Sequence, residues 1–399
     1  MNIAIYTLTS PLHNEKAVEA ATHEFLDSLH IHYDFQGTDF ADYGNHVLDL
    51  LYIRTGGTEG VFRQLLPTLR GQSSRPFYLL TSGKSNSLAA SMEILSYLRQ
   101  QGIQGEIIHG SPSYIAERIS LLERIGEARR RLSGLRLGIV GKPSDWLISS
   151  DADPDIVRER LGIELVDIPM QELLDEIELQ KQDAASSFVP EGTPNPVRNA
   201  LPGAERIYHA LRSLVQRHGL GGFTLRCFDL LTTVRNTGCM ALARLNAEGF
   251  VAGCEGDVPA LLSMAIIRTL TGVSGFQANP ARIDPQTGEI LMAHCTIPLD
   301  MVERYELDTH FESGIGVAIR GYVPVGPVTL FKVSGDLRRS FAAEGQLLQC
   351  QAQPDLCRTQ QVIRLDNPAQ ATYFLTSPIG NHHIVLPGHH RELLEGLLA

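Results

Sequence analysis

The sequence predicts an α/β fold. It reads as two successive doubly wound α/β domains, residues 1–134 and 135–275, followed by a β-rich C-terminal domain, residues 276–399. Three observations predict it. Short β-rich runs alternate with amphipathic helical runs up to about residue 134, as in a sheet wound on both faces by helices. The same alternation starts again at Leu135. Beyond Gly275 helical periodicity fades, and short β-rich runs follow one another as in an antiparallel sheet or barrel.

In the first domain, 2–8, 47–54, 76–80 and 107–108 read as strands. Residues 15–29, 61–69 and 87–101 read as helices, the last with Leu88, Met92, Leu95 and Leu98 on one face. In the second domain, 136–140 and 163–168 read as strands and 156–161 and 171–179 as helices. Residues 183–203 hold four prolines among small polar residues, so they read as a long loop before a helix at 204–217. In the third domain, 317–319, 328–333, 361–363 and 373–375 read as strands, and a helix closes the chain at about 390–398.

The composition narrows the function. Apolar residues make up 43% and charged residues 20%, so the chain can bury ordinary cores. A net charge of −11 without a basic run argues against a nucleic-acid partner. No apolar stretch approaches the roughly 18 residues a membrane helix needs, and Met1 to Tyr6 reads as a first strand rather than a signal peptide. The six cysteines form no C-x-x-C pair, which points to reduced thiols in a cytoplasm. Cys254 and Cys295 flank candidate ligands and read as small apolar packers.

The chemistry concentrates in Gly253-Cys254-Glu255-Gly256-Asp257, Ala293-His294-Cys295 and Gly380-Asn381-His382-His383, each at the end of an apolar run. One carboxylate and two separate imidazoles form the ligand set of a divalent-metal site. Around Glu255 a strand ends and a helix begins, with Pro259 in its first turn and Gly272 at its C-cap. Ligands of open α/β sheets bind at that place, and a helix N-terminus favours a carboxylate. Asp257 reads first as an N-cap that accepts backbone N–H bonds. His294, alone on its strand, gains a functional reading only from its fit with the other segments. His382 and His383 face opposite sides of a strand, so one points into a site and the other meets solvent or a supporting partner. His389 and His390 begin the last helix and read as exposed.

Two glycine-rich turns stand in the first domain. Thr55-Gly56-Gly57-Thr58-Glu59-Gly60 can offer backbone N–H groups to a hydroxyl or an anion, or can be a plain turn. Ser82-Gly83-Lys84-Ser85-Asn86-Ser87 is no P-loop, because Tyr78 stands where the first glycine is needed, and G-x-G-x-x-G is absent. The sole tryptophan, Trp146, can stack on a ring ligand, though a buried packing role fits it better.

Cys254-Glu255-Gly256-Asp257 with its downstream helix, the Ala293-His294 strand and the Asn381-His382 strand resemble the L-fucose isomerase and L-arabinose isomerase superfamily. The turns at Thr55–Glu59 and Ser85–Ser87 and the loop from Gly141 to Trp146 fit its short fucose isomerase-like branch. The resemblance covers most of the chain, and the three C-terminal segments are its specific part. It implies two α/β domains followed by a β-barrel. It also implies Mn²⁺ bound to a sugar's carbonyl and adjacent hydroxyl, in a homo-oligomer (trimer or hexamer) with active sites between subunits. The implied reaction is ene-diol aldose–ketose isomerisation of a deoxy or pentose sugar, L-fucose- or L-arabinose-like.

Carried over by residue, Glu255 matches the first metal carboxylate and His382 the C-terminal imidazole ligand. Asn381 matches a neighbour that contacts substrate, and His294 looks like the extra histidine of the arabinose branch. Thr55, Gly56, Gly57 and Trp146 join Asn381 as expected substrate contacts. The second carboxylate of the pattern should fall in 276–280, where Asn279 stands. An amide ligates through its oxygen but is no base at neutral pH. Glu255 is then expected to be both ligand and main proton carrier, with Asp257 as second acid and Asp284 as its alternative. Asn279, His294 and His382 would complete the shell, which Zn²⁺ would also fill. Asn279 favours one rival: a sugar- and metal-binding protein of the same fold that acts as a sensor or regulator without turnover.

Overall fold

The structure, a computed structural model, describes residues 2–180, 189–190 and 192–398. It falls into two compact units, Met1–Arg130 and Arg131–Ala399.

The first unit is built on strands β1 (Ile3–Leu8), β2 (Asp34–Gly37), β3 (Leu48–Ile53), β4 (Phe77–Leu80) and β5 (Gly105–Ile108). They pair parallel in the order β2-β1-β3-β4-β5. Every residue of β1 and β3 is buried, which explains their unbroken apolar reading: helices cover both faces of a parallel sheet. In the helix Ser87–Gln100 the inner face is Ser87, Ala90, Ser91, Ile94 and Leu98. Met92, expected on that face, is 57% exposed. Small residues, Ser87, Ala90 and Ser91, share the inner face with Ile94 and Leu98, so the large apolar residues alone do not mark it.

The second unit opens with β6 (Arg136–Val140), β7 (Glu164–Ile168), β8 (Gly222–Leu225) and β9 (Val251–Cys254), parallel in the order β7-β6-β8-β9. The stretch read as a loop shortens. Helix Asn195–His218 begins inside it, with Pro196 in the first turn, where a missing N–H costs nothing. Val197, Leu201 and Ala204 bury that early part. Residues 181–188 and 191 of the expected loop lie outside the described residues.

The same unit continues with β10 (Phe276–Asp284), β11 (Glu289–His294), β12 (Arg304–Asp308), β13 (Ala318–Tyr322), β14 (Gly326–Val333), β15 (Ser340–Gln351), β16 (Thr359–Leu365) and β17 (His383–Pro387). Six of these strands form a closed antiparallel barrel, β10-β11-β16-β15-β14-β17, and β12 pairs with β13 as a separate ribbon. The expected fold class is therefore observed. Phe276 opposite Val385 and Ala278 opposite His383 close the barrel. Ile290, Met292, Leu330, Ala343, Ile363 and Val385 alternate along their strands into one core. Residues 373–375, read as a strand, belong to the helix Tyr373–Thr376 instead. There Tyr373 stacks on Phe341, with ring centroids 3.8 Å apart. A three-residue apolar run carries no period that separates the two conformations. Among the described residues no helix is long and apolar enough to cross a membrane.

Candidate active site

The site grows from the turn that follows β9. Glu255 and Gly256 are both left-handed, with φ of 63° and 73°. A Cβ on Gly256 would lie 2.4 Å from the carbonyl oxygen of Lys142, so only glycine fits. A non-glycine residue in this region costs about 1–2 kcal/mol, and Glu255 accepts that strain. Hydrogen bonds hold the turn: Ser144 N–H donates to Glu255 O (2.9 Å) and Gly256 N–H to Leu225 O (3.0 Å). Gln277 of β10 clamps the strand end, its Oε1 accepting from Cys254 N–H (2.8 Å) and its Nε2 donating to Cys254 O (3.2 Å). The barrel's first strand thereby fixes the sheet's last one. Asp257 caps helix Val258–Thr271, accepting from Ala260 N–H at 2.7 Å.

This turn aims Glu255 at two histidines. His294 ends β11, and its Nε2 lies 3.5 Å from Glu255 Oε1. His382 stands just before β17, and its Nε2 lies 3.4 Å from the same oxygen. One ligand atom from each of the three buried residues lies within 4.8 Å of the others. Both rings are oriented from behind. His294 Nδ1 shares a hydrogen bond with Thr296 Oγ1 (3.0 Å), and His382 Nδ1–H donates to Asp257 Oδ2 (2.9 Å). Each therefore presents Nε2 forward, the arrangement of metal-ligating histidines backed by a second residue. His382 Nε2 is buried and makes no hydrogen bond. An orphaned nitrogen is costly unless something binds it, and a carboxylate with two imidazoles suits a first-row divalent ion. The residues present fit a metal.

Behind His382, Lys332 Nζ lies 3.2 and 3.3 Å from the two oxygens of Asp257, both residues fully buried. Burial alone would raise the Asp257 carboxyl, but the Lys332 charge and the His382 hydrogen bond outweigh it and hold it at about 2. Burial would lower His382, yet the hydrogen bond to Asp257 and the Glu255 carboxylate facing its Nε2 raise it to about 9. For Glu255 burial again opposes ionisation, and the two imidazoles override it, holding the carboxyl far below the usual range. Burial lowers His294.

A cavity of about 390 Å³ opens onto Glu255 and is lined also by Trp146, Phe228, Asn279, Glu312 and Asn381. The register of β10 on β11 sets Asn279 opposite Ala293, next to His294. Asn279 Oδ1 accepts from Asn381 Nδ2 at 3.0 Å, so that amide oxygen already has a partner. Trp146 is 51% exposed rather than packed in a core. Its Nε1–H donates to Glu255 Oε2 at 2.7 Å. This bond orients the carboxylate, and orienting partners of this kind are worth about 10–100-fold in metal affinity. Trp146→Phe is expected to weaken binding of a divalent ion in that range, which isothermal titration calorimetry with MnCl₂ would measure.

The remaining candidates separate. Of the adjacent histidines, His383 is buried rather than solvent-facing: its Nδ1 meets Asn381 O (3.1 Å) and its Nε2 meets Tyr373 Oη (3.0 Å), so both nitrogens are taken. Asp257 is fully buried and does not line the cavity. Its place behind His382 suits orientation rather than the proton work expected of a second acid. Asp284 lies at the far end of β10, on a turn where it accepts from the N–H groups of Gln286 and Thr287. Thr55, Gly56 and Gly57 lie in the first unit. There Thr55 Oγ1 accepts from Ser10 N–H (3.0 Å) and Gly56 N–H donates to Ser85 O (2.7 Å). Cys254 and Cys295 are buried in apolar clusters. Lys332, Gln277 and Thr296 support the site from behind and carry no motif in the sequence. A lysine inside the apolar run of β14 was the one available signal.

Fold and site together define a parallel sheet whose strand-end carboxylate meets two barrel histidines in a metal-competent group. The chain is similar to proteins named sulfoquinovose isomerase. It is 26% identical over 267 residues to that of Clostridium sp. (strain MSTE9), a match covering 62% of this chain and 59% of the relative. It is 23% identical over 269 residues to those of Priestia aryabhattai and Priestia megaterium (strain ATCC 12872 / QMB1551), with the same coverage. The match thus spans 59% of the length of these curated relatives. No family model matches the chain.

Proposed function

We propose that this protein is a metal-dependent isomerase that interconverts the aldose and ketose forms of a sugar. The observation that carries the reading is the buried Nε2 of His382, which makes no hydrogen bond and faces His294 and Glu255, the last of which lines a cavity. The names of the relatives support the same class of reaction. Glu255, His294 and His382 would hold a divalent ion, Mn²⁺ in our reading, which when bound supplies Lewis acidity to sugar oxygens. Thr296 and Asp257 hold the two imidazoles in register, and Trp146 holds the carboxylate. Asn279 and Asn381 place amide groups on the cavity wall, where they can bond sugar hydroxyls. The half-exposed face of Trp146 gives a sugar ring an apolar surface.

The test is proton exchange. Purified protein with MnCl₂ is incubated in D₂O with sulfoquinovose, L-fucose, L-arabinose and other aldoses, and NMR follows deuterium at C2 and ketose formation. We expect exchange on at least one sugar. Tight, stoichiometric metal and sugar binding without exchange would support the rival binding protein, to which the amide at Asn279 lends some weight.

A further inference from the structure

We propose that Glu312 is the residue that carries the proton between C1 and C2 of the sugar. This rests on the isomerase reading above. Among the groups lining the cavity, only Glu255 and Glu312 are acids. The amides of Asn279 and Asn381 accept no proton at neutral pH. Glu255 has both oxygens engaged, Oε1 facing two imidazole nitrogens and Oε2 accepting from Trp146. Asp257 is sealed behind His382 by Lys332 and Ala260 N–H. Glu312 is exposed and makes no hydrogen bond or ion pair among the described residues.

Its loop is nevertheless held in place. His310 N–H donates to Ile315 O (3.0 Å), Gly314 N–H to His310 O (2.8 Å), and His310 Nδ1 meets Ser313 Oγ at 3.1 Å. The His310 ring meets Phe228 edge-on at 5.5 Å, and Phe228 meets Trp146 edge-on at 4.7 Å. Trp146 bonds Glu255, so a line of rings connects the Glu312 loop to the candidate ligand. A free carboxylate on a fixed loop of the same cavity offers what a general base needs, an open lone pair on the wall that faces the substrate.

The step balances without a co-reactant. The C2–H bond breaks, its proton goes to Glu312, its electron pair becomes the C1=C2 bond, and the C1=O π pair moves to O1, giving an enediolate. Glu312 returns that proton to C1, while the hydroxyl proton of O2 passes to O1 and C2=O forms. The aldehyde carbon is reduced and the alcohol carbon oxidised within one molecule.

E312Q and E312D test it in the D₂O assay, with bound Mn²⁺ measured by elemental analysis and affinity for the exchanging sugar by calorimetry. E312Q is expected to lose about 100-fold or more in exchange rate, the scale of a general base. Metal content and sugar affinity should stay within about threefold, which separates transition-state from ground-state effects. E312D should recover part of the rate with a displaced pH profile. Exchange by E312Q within about threefold of wild type overturns the assignment. Loss of exchange together with metal or sugar binding also overturns it, because Glu312 would then hold the site together. Absence of both exchange and ketose formation by the wild-type protein on every sugar would sink the isomerase reading itself, and Glu312 with it.

Discussion

Glu255→Gln is expected to strip the protein of bound metal and, with it, of all exchange at sugar C2. The substitution keeps the shape of the side chain and its tolerance of the left-handed turn, so the backbone at φ 63° has no new reason to move. What changes is the charge at the one oxygen both histidines face. Residues behind the ligands are worth about 10–100-fold in metal affinity, and a ligand should exceed them. Elemental analysis after dialysis checks this, and stoichiometric Mn²⁺ in the variant would remove Glu255 from the ligand set.

The same substitution has a pH signature. His382 is held at about 9 by Asp257 and Glu255, so in the metal-free protein its ring is protonated at neutral pH. Its Nε2 must lose that proton to ligate, so metal affinity should rise with pH up to about 9 and then level. The sign reverses for the metal-free fold. A histidine whose folded pKa lies above its unfolded value of 6.5 stabilises below that value and loses the contribution as pH rises through about 9. Glu255→Gln removes one of the two carboxylates responsible, so both pH dependences should move toward lower pH.

Parts of this site were legible in the sequence for physical reasons. Gly-Cys-Glu-Gly-Asp-Val-Pro encodes a turn, an N-cap and a first helical proline within a few residues, so Glu255 and the capping role of Asp257 follow from local rules. The choice between His382 and His383 was not local. It is decided by tertiary partners, Asp257 for the first and, for the second, the hydroxyl of Tyr373 on a short helix whose apolar run carries no period. Glu312 was invisible because a loop carboxylate has no period and no cap; only the cavity distinguishes it. The buried parallel strands β1 and β3 are clear as continuous apolar runs, whereas β2 and β8, four residues each, and β15, twelve residues mixing small and polar side chains, leave no trace. The prolines of 183–203 mask the start of helix Asn195–His218, although Pro196 sits where a helix admits one.

Lys332→Met should cost the second unit about 3–5 kcal/mol, the scale of breaking a buried ion pair by removing one partner. Lys332 is 1% exposed and Asp257 is not exposed at all, so without the ammonium the carboxylate keeps only His382 and the helix N-terminus as favourable partners. Trp146 is the sole tryptophan and lies in this unit, so its fluorescence in a urea titration reports the unit that holds the site. The double variant Lys332→Met/Asp257→Asn removes both charges and should recover most of the loss, since an apolar or neutral replacement of a buried pair is often close to neutral. Metal affinity should not recover with it. Asparagine cannot hold the His382 ring as the carboxylate does, and about 10–100-fold is expected to remain lost. Acid titration gives an independent check. Asp257 is held at about 2 against an ordinary 3.8, so its contribution is intact above that ordinary value and fades as pH falls toward about 2. That step should be absent from the double variant. A single variant as stable as wild type, or a double variant no more stable than the single, would mean that Lys332 and Asp257 do not act as one buried pair behind His382.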